Sequence, residues 1–190
     1  MENVDIYILK INDIDNNYDY LYNLLSIEDK KEVDKYKINN DKLLHLGSIY
    51  LKRKYIKGNI YKNEYGKPLN DNVCFNISHS NEYVILGLSK TNIGIDIEYI
   101  KDNKDNLINY CLSNNEKNNL DNYNFYFFWT RKEAYFKLLG KGILYKEIKN
   151  VDTLNLNNIY FETIKIDNYY LSIAKENEFK FKINNVTIKE

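Results

Sequence analysis

The sequence has little of what marks secreted, membrane or nucleic-acid-binding proteins. Its two cysteines, Cys74 and Cys111, show no CxxC spacing, which argues against a disulfide framework or a zinc site. Lys plus Arg and Asp plus Glu both number 27, so the zero net charge suggests neither a nucleic-acid nor a membrane partner. The acidic N-terminus precedes only a short apolar run, which fits neither a signal peptide nor a membrane span. We therefore expect a cytoplasmic globular protein.

Two carboxylates interrupt an otherwise apolar strand pattern between Asn92 and Ile100. Three isoleucines at alternate positions would face a core, and Gly94, Asp96 and Glu98 would share the opposite face. Like charges two residues apart repel, so a bound cation explains the pattern, and oxygen ligands favour Mg²⁺. Gly94 would let a bulky anion approach the backbone. A half-exposed strand with a polar outer face is the alternative explanation.

Apolar periodicity predicts strands and helices along the rest of the chain. The other predicted strands are Asp5–Ile11, Val73–Ser78, Tyr83–Ser89, Ile159–Ile166, Tyr169–Ala174 and Phe179–Ile188. The predicted helices are Tyr18–Leu25, a short helix from Ser26, Asp41–Lys57, Tyr110–Tyr123 and Phe125–Leu139. Asp41 would cap the first long helix and Gly140 would end the last. We expect the acidic strand to form one sheet with the two strands that precede it.

A weak internal repeat suggests two similar halves. Leu25–Lys30 and Leu112–Lys117 share the pattern L-S-x-x-acid-K, and each leads into a longer helix ended by glycine. We expect an α+β (α/β) protein with two pseudo-symmetric halves, residues 1–92 and 93–190, fused as one pseudo-dimeric unit. Each half would pack a small, mostly antiparallel sheet against a long helix. The active site would lie in the cleft between them.

The predicted helix from Trp129 to Leu139 carries a second group of polar side chains. Trp129, Glu133 and Lys137 are spaced by four residues and therefore share one face. A Glu133–Lys137 ion pair within the helix, worth only about 0.2–0.5 kcal/mol, would explain the last two residues without any function.

Three segments together resemble the signature segments of a known enzyme family. Phe75–Ser80 (FNISHS), Ile93–Glu98 (IGIDIE) and Trp129–Lys137 (WTRKEAYFK) are similar, in order and spacing, to those of the 4′-phosphopantetheinyl transferase superfamily, fused two-half (surfactin-synthetase-activating) type. Tyr65–Pro68 and Leu112–Glu116 also look like family segments. The resemblance covers about residues 26–142.

The resemblance implies transfer of the 4′-phosphopantetheine arm of coenzyme A to a serine of an apo carrier protein, with release of 3′,5′-ADP. Asp96, Glu98 and Glu133 would hold Mg²⁺, or Mn²⁺ in its place, against the diphosphate. Glu133 could also take the proton of the attacking serine, unless a metal-bound water does so. Lys137 would donate to the leaving phosphate.

The resemblance also assigns Glu116 and a set of coenzyme A contacts. Glu116 would serve catalysis, although Ser113 and Glu116 form a complete capping-box pattern that explains both residues structurally. The residues expected to bind coenzyme A phosphates are Lys67, Ser78, His79, Lys30 and Lys31, the last two at the 3′-phosphate.

Two other functions fit the same residues. A Mg²⁺-dependent phosphohydrolase could use the acids with water as nucleophile, and a non-catalytic homologue could grip carrier proteins without modifying them. The transferase interpretation explains why Asp96, Glu98, Glu133 and Lys137 are all present. It implies a monomer whose partners are coenzyme A and an acyl, peptidyl or polyketide carrier protein.

Overall fold

A computed structural model describes residues 1–101, 105–142 and 148–188. The strands are β1 (Glu2–Lys10), β2 (Tyr61–Lys62), β3 (Pro68–Leu69), β4 (Cys74–Ser80), β5 (Tyr83–Ser89), β6 (Gly94–Tyr99), β7 (Tyr160–Ile166), β8 (Tyr169–Lys175) and β9 (Phe179–Val186). The helices are α1 (Ile11–Asn16), α2 (Tyr18–Asn23), α3 (Ile27–Asp34), α4 (Asn39–Tyr55), α5 (Asp105–Cys111), α6 (Asn114–Asn118) and α7 (Phe125–Leu139). This mixture confirms the predicted α+β class.

The first sheet has the strand order β4-β5-β1-β9 and is covered by helices on one face. β1 pairs antiparallel with β5 and parallel with β9. Side chains alternate along each strand, so Leu9 and Val84 pack against α4 residues such as Leu46, whereas Ile6 and Ile85 pack on the opposite face. That opposite face belongs to a core shared with the second sheet.

The second sheet has the order β6-β8-β7 and packs between that shared core and α7. The isoleucines of β6 and alternate residues of β8 fill the core, and Ala134 and Leu138 of α7 meet Ala174 on the other face. The expectation that β6 joins β4 and β5 in one sheet was wrong. β6 pairs instead with β8, about 75 residues further along the chain, and this long-range pairing leaves no local trace in the sequence.

Several helix boundaries differ from the predicted ones. α4 begins at Asn39 after Ile38, without a side-chain cap, so Asp41 lies in its first turn and does not cap it. The predicted helix Tyr110–Tyr123 is two short helices, because Ser113 has extended backbone angles and starts α6. Both cysteines are free, as expected. Among the described helices, none is both long and apolar enough to cross a bilayer.

Gly94 lets β6 approach α7 directly. A Cβ atom at this position would lie 1.9 Å from Ala134 O and 2.4 Å from Leu138 N. The glycine therefore makes room for the backbone of α7, and the expected approach of an anion at Gly94 was wrong. This close contact places the acidic face of β6 directly against the face of α7 that carries Lys137.

Gly94→Ala is expected to lower the unfolding free energy by about 3 kcal/mol, because backbone neighbours cannot turn away from the new methyl group. Urea denaturation measures the change. Gly47→Ala is the matched control: its Cβ would meet Ile14 Cδ1 at 2.4 Å, and this flexible side-chain end can move. We expect the control to lie within about 1 kcal/mol of the wild type. Equal stability of the two variants would contradict the close β6–α7 contact.

A partly buried polar network joins the start of β1 to the end of β5 and to β8. The Glu2 carboxylate accepts hydrogen bonds from Ser89 Oγ (2.7 Å) and Thr91 Oγ1 (2.7 Å), and it lies 3.1 Å from Nζ of the fully buried Lys175. Burial opposes ionisation of Glu2, but the hydrogen bonds from Ser89, Thr91 and Lys175 outweigh it and lower the pKa from 4.5 to about 2.

The lowered pKa of Glu2 predicts a loss of stability in acid. A carboxylate with a depressed folded-state pKa stabilises the fold above its unfolded pKa, and this contribution is lost as the pH falls through the folded value. Solvent screens this partly exposed group, so we expect Glu2 to contribute only about 1–2 kcal/mol near neutrality and progressively less between about pH 4.5 and about pH 2. Urea unfolding of wild type and Glu2→Gln from about pH 6 to about pH 3 tests this. Parallel curves for the two proteins would rule Glu2 out as the responsible group.

Candidate active site

Asp96 is the most deeply buried acid of the site. It is 3% exposed, and its Oδ1 accepts hydrogen bonds from Ser78 Oγ at 2.8 Å and from Lys137 Nζ at 2.6 Å. Among the described residues, Oδ2 finds no hydrogen-bond partner. Burial raises the pKa of Asp96, and the positive charge of Lys137 opposes that rise. The site therefore holds a buried carboxylate with one oxygen still unsatisfied.

Glu98 lies on the same face of β6 and is held at both oxygens. Its Oε2 accepts from Ser80 Oγ at 3.0 Å, and its Oε1 accepts from Trp129 Nε1 of α7 at 3.3 Å. Desolvation raises the pKa of this half-buried carboxyl, and the charge of Asp96 raises it further.

Glu133 brings a third carboxyl from α7. Burial raises its pKa to about 7, with Asp96 adding the next largest contribution and Glu98 a smaller one. Such a shift means that the acids lie close enough to repel one another when ionised. A Glu133 carboxyl that titrates near neutral pH can exchange a proton under physiological conditions.

Lys137 joins α7 to the two strands that face it. Its Nζ donates to Asp96 Oδ1 and, at 2.9 Å, to Ser78 Oγ. The helix ion pair considered from the sequence, between Glu133 and Lys137, is therefore replaced by an ion pair to Asp96 on β6. With two of its three N–H groups used, the ammonium keeps one for a ligand.

The acids fit a divalent cation by their chemistry. Within the part of the chain that the structure describes, no three Asp, Glu, His or Cys side chains are already grouped as a metal cage. Oδ2 of Asp96 is nevertheless free, and burial raises the pKa values of Asp96, Glu98 and Glu133, so ionising all three together would need added positive charge. An oxygen-liganded cation would supply that positive charge.

A pocket of about 220 Å³ opens beside Lys137, and we call it the α7 pocket. It is lined by Tyr65, Gly66, Lys67, Pro68, Asn76, Ile77, Phe136, Lys137, Gly140 and Gly142. The turn that carries Gly66 and Lys67 and the end of α7 therefore both line this pocket. This arrangement places one cation, Lys137, at both the acid cluster and the pocket.

Lys67 lines the α7 pocket, but its ammonium is engaged by the protein. Nζ donates to Asn92 Oδ1 at 2.8 Å, Leu138 O at 3.2 Å and Ile93 O at 3.4 Å. Burial lowers the pKa of Lys67 to about 8. All three donors are used, so this structure shows Lys67 fixing the end of α7 and not presenting a free N–H to a phosphate. The expected phosphate contact would require Lys67 to exchange partners.

The other predicted coenzyme A residues lie at different distances from this cluster. Ser78 is inside it, whereas His79, next on β4, is exposed. Desolvation lowers the pKa of His79, and the charge of Lys137 lowers it further, so the imidazole lies within the electrostatic influence of the site. Lys30 of α3 packs over the ring of Tyr22, with its Nζ 5.2 Å from the ring centre. Lys31, the next residue of α3, is exposed. Neither lysine lines the α7 pocket.

Glu116 lies in a separate buried network. It completes a capping box with Ser113, accepts from Thr153 Oγ1 at 2.8 Å, and pairs with Lys132 at 2.7 Å. Both Glu116 and Lys132 are 0% exposed. The capping role expected from the sequence is confirmed, but the buried ion pair was missed. These contacts do not include Asp96 or Glu98, and the catalytic role expected for Glu116 stays a prediction.

The sequence did not identify Ser80 and Trp129 as the hydrogen-bond donors to Glu98. The sequence does show that Asn76, Ser78 and Ser80 are polar at alternate positions, and this period of two is the signal for one strand face. What the sequence does not show is that this face of β4 meets β6.

Comparisons with known proteins agree with the resemblance seen in the sequence. A family model described as the 4′-phosphopantetheinyl transferase superfamily matches residues 92–187, slightly more than half of the chain. The curated 4′-phosphopantetheinyl transferase gsp of Aneurinibacillus migulanus is 40% identical over 90 residues, which are 43% of this chain and 38% of that protein.

Two proteins from Bacillus subtilis give similar matches. The 4′-phosphopantetheinyl transferase ffp is 40% identical over 90 residues, covering 42% of this chain and 40% of that protein. The 4′-phosphopantetheinyl transferase Sfp of strain 168 is 37% identical over 90 residues, with the same two coverages. The matched region thus spans about two fifths of the length of these curated relatives.

Proposed function

The chain belongs to the 4′-phosphopantetheinyl transferase superfamily, and we propose that it transfers the 4′-phosphopantetheine arm of coenzyme A to a serine of an apo carrier protein, releasing 3′,5′-ADP. The observation that carries the proposal is the contact between Asp96 Oδ1 and Lys137 Nζ, which lie 2.6 Å apart beside the α7 pocket. Anion-binding and cation-binding groups meet there, as cleavage of a diphosphate requires.

The reaction exchanges one P–O bond for another. The serine oxygen of the carrier attacks the phosphorus that bears the pantetheine arm, and the bond from that phosphorus to the bridging oxygen of the diphosphate breaks. The electron pair of that bond leaves on 3′,5′-ADP. We propose that Glu133 takes the serine proton, because an ionised carboxylate within hydrogen-bond reach of the attacking hydroxyl can accept it.

Lys137 is proposed to stabilise the leaving group with its remaining N–H, where negative charge increases during the reaction. A divalent cation, Mg²⁺ or Mn²⁺, would be held by Asp96, Glu98 and Glu133 and would neutralise diphosphate oxygens. Exposed His79 is proposed to bind coenzyme A phosphates, together with Ser78 and Lys67, each of which would first have to release a hydrogen bond that it now donates within the protein. Lys30 and Lys31 remain proposed contacts of the 3′-phosphate.

We also propose the two-half organisation expected from the internal repeat, with the site in the cleft between residues 1–92 and 93–190. The two sheets and their long helices, α4 and α7, support it. β9 complicates a simple boundary, because this strand of the second half pairs with β1 of the first.

Release of 3′,5′-ADP from coenzyme A and Mg²⁺, measured by chromatography with and without an apo carrier protein, tests the reaction class. If the chain is a transferase, 3′,5′-ADP is released only when the carrier is present, and the amount released equals the amount of carrier modified. Equal release without carrier would favour the phosphohydrolase. Tight binding of the carrier without release would favour the non-catalytic homologue.

A further inference from the structure

β4 and β6 are edge strands of different sheets that lie side by side without a backbone ladder between them. Alternate side chains of β4 bridge the gap instead. Asn76 Oδ1 accepts from Ile95 N at 3.0 Å, and Ser80 Oγ accepts from Tyr99 N at 3.1 Å. These side chains satisfy backbone donors that an edge strand would otherwise leave unpaired.

The same row of β4 side chains also contacts both acids of β6. Ser78 donates to Asp96, and Ser80 donates to Glu98 Oε2 at 3.0 Å. Ser80 is unusual because one hydroxyl accepts from the backbone N–H of Tyr99 and donates to the carboxylate of the preceding residue. It therefore fixes the backbone of β6 and the Glu98 side chain together.

We propose that Ser80 is a positioning residue that sets the orientation of the Glu98 carboxylate for divalent cation binding, an inference that rests on the metal role of Glu98 in the proposed function. The other contact of Glu98, from Trp129 Nε1, is longer at 3.3 Å and reaches the other oxygen. Without the Ser80 hydroxyl, the carboxylate can rotate about this remaining bond, and Tyr99 N–H loses its partner. Removing a partner that orients a metal ligand typically weakens metal affinity about 10–100-fold.

The test is Mn²⁺ binding to the protein alone, measured by electron paramagnetic resonance of free Mn²⁺. Ser80→Ala is expected to raise the Mn²⁺ dissociation constant about 10–100-fold. Ser80→Thr keeps the hydroxyl and is expected to stay within about threefold of the wild type. Ser26→Ala is the control for lost stability, since Ser26 caps α3 through Asp29 N and makes no described contact with the acids. It should lower the melting temperature without changing Mn²⁺ affinity.

Unchanged Mn²⁺ affinity in Ser80→Ala, equal weakening in Ser26→Ala, or no Mn²⁺ binding by the wild type would each overturn the proposal. If Ser80→Ala does not fold, Ser80→Cys takes its place, because the thiol has a similar shape and is only a weak donor. Neither coenzyme A nor a carrier is present in this measurement. Failure of the transfer reaction would therefore count against the proposed function and leave the Ser80 result standing.

Discussion

Asp96→Asn is expected to yield a folded protein with less than about 1% of the wild-type transfer rate. Partners that only orient a metal ligand contribute about 10–100-fold, so a buried acid that contacts the cation itself should contribute at least as much as the upper value. The substitution also removes the ion-pair partner of Lys137. The rate of carrier modification under saturating coenzyme A and Mg²⁺ measures the effect.

The same substitution should cost little stability. Burial raises the pKa of Asp96, which means that the fold disfavours its ionised form, and Asn is neutral and nearly the same shape. Lys137 is 28% exposed and can turn its charge to solvent. We expect the unfolding free energy to change by less than about 1 kcal/mol. Exposed Asp15 on α1 provides the control Asp15→Asn, which should keep both rate and stability.

Two results would contradict this interpretation of Asp96. Retained turnover in Asp96→Asn would show that its charge is not needed for the chemistry. A loss of more than about 4 kcal/mol of stability would show that Asp96 is mainly a structural residue.

Glu116→Gln is expected to lower the unfolding free energy by about 3–5 kcal/mol, because it leaves Lys132 buried without its counter-ion. Gln can still accept the bond from Ser113 N, so the loss of the capping contact contributes little. Ser113→Ala removes the cap alone and should cost only about 1 kcal/mol. Urea unfolding of the two variants therefore separates the cap from the ion pair.

The double variant Glu116→Gln/Lys132→Met sharpens this test. It removes both charges, so its cost should be well below the sum of the two single variants. The turnover of folded Glu116→Gln should remain within about tenfold of the wild type, since Glu116 contacts only its own network. A cost below about 1 kcal/mol together with a rate loss above about tenfold would favour the catalytic role of Glu116 over the structural one.

Local features of this fold could be predicted from the sequence because their causes are local. α7 runs from Phe125 to Leu139 and ends at Gly140 with φ 68°, as expected from its periodicity and its glycine. The strands predicted at Ile159–Ile166 and Tyr169–Ala174 are β7 and β8, and they join at a turn where Asp167 has φ 49°. The alternation on β6 correctly places Asp96 and Glu98 on one face, opposite the isoleucines.

The missing part of the prediction depends on contacts between distant residues. Nothing near Asp96 in the sequence shows that Lys137 is its ion-pair partner, because that contact requires α7 to pack across β6. Lys132 is similar, because nothing near it in the sequence shows that this lysine is fully buried beside Glu116. A lysine can be buried when a paired acid and backbone carbonyls compensate its charge, and both lie far away in sequence.

The most direct test of the central claim is the intact mass of an apo carrier protein after incubation with this chain, coenzyme A and Mg²⁺. We predict that the carrier gains the mass of one phosphopantetheine arm, and that a carrier with its acceptor serine replaced by alanine gains nothing. The Asp96→Asn protein should give almost no gain in the same time. No gain on acyl, peptidyl and polyketide carriers alike, with the wild-type protein shown to be folded, would contradict the proposed transferase activity.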